Sequence, residues 1–166
     1  PGTGLSDRDL ADLDMDSCVA DLEAVANAAG LDRFPLLALS QGVPVAIQFA
    51  ARYPERVSCL VLYGGYVEGR ALRNEGQSKE AAYAMMTMMR EGWGKPESAF
   101  MGAFTSLFCP GASPEQLADL VEMQLASTSS ENAFHIRTAI DQFSVFDQLE
   151  KIQVPTLVVH CRNDSV

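Results

Sequence analysis

Positive charge, histidine and cysteine are all scarce in this chain of 166 residues, and long apolar runs are missing. Twelve Lys and Arg stand against 22 Asp and Glu, a net charge of −10, with no basic cluster to offset it. Nucleic acid and anionic membrane surfaces are bound through positive charge, so neither is an expected partner. No apolar run approaches the roughly 20 residues of a membrane-spanning helix, and no basic-then-apolar leader opens the sequence. Cys18, Cys59, Cys109 and Cys161 lie far apart, without a C-x-x-C pair or a histidine ladder. A zinc site is therefore not expected, and nothing calls for an organic cofactor. Cys59 and Cys161 fall in apolar runs and are expected as small core residues of a reduced, cytoplasmic protein.

What is present is an ordinary globular composition, 48% apolar and 20% charged, in a chain long enough to bury a core. Residues 1–14 are rich in Gly, Ser and Asp and read as a loop. Cys18, Val19, Leu22, Val25 and Ala29 then recur at helical spacing, with Asp16 as the expected N-cap and Gly30 as the stop. Residues 35–39 form a short apolar run suited to a strand buried on both faces. Ser40-Gln41-Gly42 interrupts it, and residues 43–52 return to helical periodicity, with Pro44 tolerated in the first turn. Pro54 ends that helix. A second apolar strand is expected over 57–63, closed by Gly64 and Gly65, and a third over 156–161. Buried strands separated by helices indicate βαβ units and a parallel sheet. Residues 77–146 carry helical patterns and no clear strand, as a helical insertion would.

Ala38-Leu39-Ser40-Gln41-Gly42 sits where an apolar strand turns directly into a helix. A serine there is driven into a sharp turn that lifts its hydroxyl off the sheet, and the residues two before and two after must be small. Ala38 and Gly42 meet that demand. The following helix points its positive end at the same place, and the Gln41 N–H is placed to donate to an oxyanion. The competing reading makes Ser40 a plain helix N-cap. The small–x–Ser–x–small context favours a nucleophile elbow.

The runs Leu36-Leu37-Ala38-Leu39-Ser40-Gln41-Gly42, Ala51-Arg52-Tyr53-Pro54-Glu55-Arg56-Val57 and Leu60-Val61-Leu62-Tyr63-Gly64-Gly65 resemble the α/β-hydrolase superfamily. The opening Gly2-Thr3-Gly4-Leu5-Ser6-Asp7 is similar to the loop after that fold's fourth strand. The closing run from Val154 to Asp164 is similar to its seventh strand and acid turn. Tyr63-Gly64-Gly65-Tyr66 and Glu91-Gly92-Trp93-Gly94 are also similar to hydrolase-like domains fused to cyclases or transcriptional regulators. Ala38 stands where many members carry glycine.

The resemblance implies an α/β fold, a parallel sheet flanked by helices, with a helical cap and with its first and last strands outside the chain. Residues 1–70 and 147–166 would form the core and 71–146 the cap. It implies Ser40 as nucleophile, Gln41 as oxyanion donor and Asp164 as the acid that orients the base, with Glu68 as the alternative acid. Asp164 also has a plain reading, as the cap of a following turn. Of the two histidines, His160 lies ahead of the acid within the third strand and His135 falls in the insertion. The family's catalytic histidine follows the acid and is expected outside these 166 residues, which leaves the isolated chain inactive.

Met85, Met89, Trp93 and Phe104 are candidates for an apolar acyl pocket on the underside of the cap, within a stripe that also suits plain core packing. Glu115, Asp119 and Glu122 read as a solvated helix face. The expected substrate is a small apolar ester or related acyl compound. The alternative is a regulatory domain that binds ligand without turnover. The strand before Ser40 is expected to have its free edge covered by the rest of the parent protein or by a second copy.

Overall fold

The computed structural model describes residues 1–10, 13–73, 79–95, 98–162 and 164. In chain order its elements are α1 (Met15–Ala28), β1 (Phe34–Leu39), α2 (Gly42–Arg52), β2 (Val57–Tyr63), α3 (Lys79–Gly92), α4 (Ala99–Phe108), α5 (Pro114–Ser127), α6 (Ser130–Ile140), a 3₁₀ helix (Phe146–Lys151) and β3 (Thr156–Val159). They fall into two compact units. One contains the sheet with α1, α2 and the 3₁₀ helix, and the other contains the opening loop and the helices up to Thr138.

In the sheet unit the three strands are parallel in the order β1-β2-β3. Leu39 pairs with Tyr63, and Tyr63 with Val159, so all three strands end abreast. The core beneath them is built from Val19 of α1, Ala46, Ile47, Phe49 and Ala50 of α2, Val57 and Leu60 of β2, and Val145. Phe49 lies between the rings of Phe34 and Tyr53, with centroids 5.9 and 5.1 Å away. Residues 67–69 meet 143–145 in an antiparallel bridge: the Val145 N–H donates to the Val67 carbonyl at 2.9 Å, and the Gly69 N–H to that of Phe143 at 2.6 Å. A Cβ on Gly69 would come 2.4 Å from the Asp141 carbonyl oxygen, so only glycine fits that approach.

Several expectations are corrected in this unit. Asp14, not Asp16, caps α1: its carboxylate accepts the Ser17 N–H at 2.7 Å, and the Ser17 hydroxyl accepts the Asp14 N–H at 3.0 Å. Asp16 lies inside the first turn and pairs with Arg52. β1 is not buried on both faces, because Phe34 and Ala38 are buried while Leu37 and Leu39 are 62% and 57% exposed. That alternation marks a strand with one covered face. β3 stops at Val159 and all four of its residues are exposed. Cys161 lies beyond the ladder and is exposed, and Cys59 is only half-buried, so neither is the core cysteine expected.

The helical unit contains no strand among its described residues. Ser98 caps α4, and Ser113 forms a capping box with Gln116 at the start of α5, where Pro114 occupies a position whose N–H has no helical use. Met89, Met101 and Ala133 are buried, together with the polar Thr105 and Thr128. Phe104 stacks on Phe100 and meets Trp93 and Phe108 edge-on, with centroids 5.0 to 5.9 Å apart. The opening loop is tied to the turn between α5 and α6. The Gly4 N–H donates to the Ser127 carbonyl at 2.8 Å, and Arg8 donates to the same carbonyl and to that of Gly4, each at 2.6 Å. Thr128 donates to the Gly2 carbonyl at 2.7 Å, and the Asn132 amide to that of Arg8 at 2.8 Å. Among the described residues no helix is long and apolar enough to cross a membrane.

Candidate active site

β1 and α2 are joined by Ser40, whose φ is +48°. Among the described residues it is the one non-glycine residue in the left-handed region, a conformation that costs an L-residue about 1–3 kcal/mol. The surroundings hold it there. The Ser40 N–H donates to the Tyr63 carbonyl at 2.9 Å, continuing the β1–β2 ladder by one bond, and the Ser40 carbonyl accepts the Val43 N–H at 3.0 Å. The cap position of α2 belongs to Gln41, without a side-chain capping bond. Ser40 is exposed, at the positive end of the helix.

The room for this turn comes from a residue that its place in the sequence does not single out. A Cβ on Gly65 would stand 2.3 Å from Cβ of Val43, in the first turn of α2. Gly42, expected to be small out of necessity, meets nothing within 4 Å at its own Cβ position, because the first helical residue faces open space. Ala38 is buried. The signal for Gly65 is the Gly-Gly pair ending β2, which the sequence supports equally well as a simple strand stop.

Ser40, Gly64 and His160 follow the last residues of β1, β2 and β3, so they leave the sheet at one edge. The Gly64 N–H donates to the Val159 carbonyl at 2.9 Å. Beyond β3 the Asp164 N–H donates to the Cys161 carbonyl at 3.3 Å, closing a turn that carries Asp164 back towards the strand ends. Its Oδ2 lies 3.5 Å from His160 Nε2 and 3.9 Å from where a Cβ on Gly64 would be. The Tyr63 hydroxyl lies 3.5 Å from Cys161 Sγ. That hydrogen bond, then the charge on Cys161, desolvation and the charge on Asp164 push the phenol above its ordinary pKa, so Tyr63 is neutral at pH 7.

The structure thus brings Ser40, Gln41 and Asp164 to one edge of one sheet. Glu68 sits beyond β2 in the antiparallel bridge with Ser144. Met85, Met89, Trp93 and Phe104 belong to the helical unit, where Met89 is 3% exposed and the Trp93 indole N–H donates to the Thr128 carbonyl at 3.1 Å. His135 is exposed on α6. Among the described residues no three His, Cys, Asp or Glu are grouped to hold a metal ion.

A serine in a left-handed strand-to-helix turn, on the carboxyl edge of a parallel sheet with an aspartate two strands away, is the arrangement of one fold in particular. A family model described as the alpha/beta hydrolase fold matches residues 1–166. The chain belongs to that family. It is similar to pyrrolizixenacetamide deacetylase of Xenorhabdus hominickii, 25% identical over 178 residues, covering 99% of this chain and 61% of the relative. Among solved structures, an esterase from Exiguobacterium antarcticum superposes with a TM-score of 0.80 at 24% identity, covering 95% of this chain and 59% of that one. A hydrolase from Oleispira antarctica superposes at 0.78 with 15% identity, covering 99% and 61%. This α/β-hydrolase chain therefore spans about three-fifths of the length of the relatives it matches.

Proposed function

We propose that the chain is the nucleophile-bearing part of a serine hydrolase that acts on a small ester or related acyl compound. The carrying observation is Ser40, held at φ +48° where β1 turns into α2, on the sheet edge that also bears Asp164. Ser40 Oγ attacks the acyl carbon and passes its proton to an imidazole, forming a tetrahedral oxyanion. The Gln41 N–H donates to that oxyanion at the positive end of α2. Collapse breaks the acyl–oxygen bond, and the leaving alkoxide takes the proton from the imidazolium. Water then hydrolyses the acyl-serine by the same steps. Asp164 holds the imidazole and stabilises its cation.

The base is a histidine outside these 166 residues. His160 is poorly placed to serve as the base, since β1 and β3 are two strand spacings apart, roughly 9–10 Å, and its Nε2 is turned towards Asp164. The deacetylase and esterase relatives support an acyl substrate. Met85, Met89, Trp93 and Phe104 are proposed to give the helical unit its apolar lining. The rest of the full-length protein is proposed to cover the edge of β1.

The test is fluorophosphonate labelling and short-chain ester hydrolysis by the full-length protein. The Ser40→Ala variant is expected to lose labelling and to lose at least about 10³-fold in kcat. Hydrolysis unchanged by Ser40→Ala would refute the assignment. A parent that binds acyl compounds but neither labels nor turns over would be a regulatory binding domain instead.

A further inference from the structure

Ser40 and the Gln41 N–H are carried by the first turn of α2, so whatever places that turn also aims them. The Val43 N–H donates to the Ser40 carbonyl at 3.0 Å, which makes residues 40–43 move as one unit. Beside them, two glycines follow β2 for different reasons. Gly64 has φ +56°, a conformation that suits glycine. Gly65 lies outside the left-handed region, so its backbone does not call for glycine and only its surroundings do. The three atoms nearest to a Cβ on Gly65 all belong to Val43, with its Cβ at 2.3 Å. A Cβ is fixed to the backbone, so no change of rotamer relieves that contact. The chain after β2 is tied on both sides: the Gly64 N–H donates to the Val159 carbonyl, and the Val67 carbonyl accepts the Val145 N–H, each at 2.9 Å. The first turn of α2 has no side-chain capping bond. It is the part that yields.

We infer that Gly65 is a positioning residue for the proposed reaction: by leaving room for the Val43 side chain, it lets the first turn of α2 settle where the Ser40 hydroxyl and the Gln41 N–H serve the same acyl group. The inference rests on the Ser40 and Gln41 roles just proposed. It assigns Gly65 no contact with substrate. Relaxing the contact of an added Cβ from 2.3 Å to an ordinary 3.4 Å opens the gap by about 1 Å. A displacement of roughly that size in groups that must meet a reacting atom can cost about 100-fold in rate. An oxyanion donor is especially sensitive, because its worth depends on being aimed before the charge develops. Val43 itself is buried in the core cluster, so the helix cannot turn it away into solvent.

The experiment uses the full-length protein and compares Gly65→Ala, Val43→Gly and the double variant with Ser40→Ala, at a temperature where melting curves show each to be folded. Gly65→Ala is expected to lower kcat about 100-fold with KM unchanged. In the Val43→Gly background the same change should have almost no effect, because the two residues act through one contact. Val43→Ala keeps the Cβ and should not rescue. Aim is read separately from fold by the preference for an ester over its thionoester, in which sulfur replaces the carbonyl oxygen. An N–H placed for an oxyanion serves sulfur poorly, so the preference should shrink in Gly65→Ala and return in the double variant. Wild-type kcat in Gly65→Ala would overturn the inference, as would a loss that Val43→Gly does not rescue or one that leaves the ester preference intact. A Gly65→Ala protein that does not fold would make the contact one of stability and overturn it too. Failure of the underlying reading shows separately, as Ser40→Ala retaining activity.

Discussion

In the sheet unit Val19, Ile47, Phe49, Val57 and Leu60 are each at most 1% exposed, and one apolar cluster joins α1, α2 and the strands. In the helical unit α5 contributes no buried residue and two of the buried positions are threonines. Long-range polar bonds run from Gly4 and Arg8 to the carbonyls of residues 126 and 127, and from Thr128 and Asn132 back to the carbonyls of Gly2 and Arg8. Apolar packing is proportional to buried area and individually strong at a well-filled site. Polar ties are directional and modest in net worth, because each replaces a bond to water. The difference suits a rigid platform for Ser40 and Asp164, and a helical segment whose arrangement depends on a few specific hydrogen bonds.

The largest stability effect is therefore expected in the sheet unit. Phe49→Ala removes a completely buried ring seated between Phe34 and Tyr53, which should cost about 3–5 kcal/mol. Denaturant unfolding measures it. A cost below about 1 kcal/mol would mean that the cluster around α2 is loosely packed and would remove the basis of the contrast.

The same contrast explains what can be read from the sequence. A core made of contiguous apolar segments writes itself into short runs, which is why residues 34–39 and 57–63 are legible as strands and 42–52 as a helix. The abrupt change of periodicity at Ser40 is local too, so the elbow is visible from five residues. His160 and Cys161 continue the apolar run of β3 and suggest a strand to 161, whereas the ladder ends at Val159 because β2 ends opposite it at Tyr63. Whether a run is buried on one face or two depends on what lies above it, and no pattern within residues 35–39 carries that. The Arg8 bonds to Ser127 span 119 positions and have no local signature. Nor has the approach of Gly65 to Val43, since it arises from how two elements meet.

Arg8 sharpens the comparison from the other side. Its guanidinium donates to the Ser127, Gly4 and Ala126 carbonyls at 2.6, 2.6 and 3.4 Å, satisfying the end of α5, where helix carbonyls lack partners. Arg8→Ala should cost about 1 kcal/mol and speed amide exchange in α5 and the opening loop, while α2 and β2 keep their protection. Arg8→Lys should restore only part of it, because an ammonium lacks the planar fork that reaches several carbonyls at once. Exchange accelerating equally in both units would show that the polar ties are not confined to the helical one.

The smallest effect concerns the helix caps, which differ chemically between the units. α5 is capped by Ser113, a group with no charge to lose, and α1 by Asp14. The Ser17 backbone N–H, and then the Ser17 side chain, hold the Asp14 carboxyl below its ordinary pKa. A carboxylate depressed on folding contributes stability that is fully present above the unfolded-state value, about 3.9. That contribution fades as pH falls through the folded-state value. Protonation removes the charge that favours the positive end of α1 and weakens the oxygen as an acceptor. Amide exchange in the first turn of α1, corrected for its intrinsic pH dependence, should therefore quicken below about pH 4. The first turn of α5 should show no matching change. Asp14→Asn keeps an accepting oxygen but cannot ionise, so in that variant the α1 response should be flat. An acid response that survives Asp14→Asn would assign it to some other carboxylate, and a matching response in α5 would mean that the two caps do not differ in the way their chemistry requires.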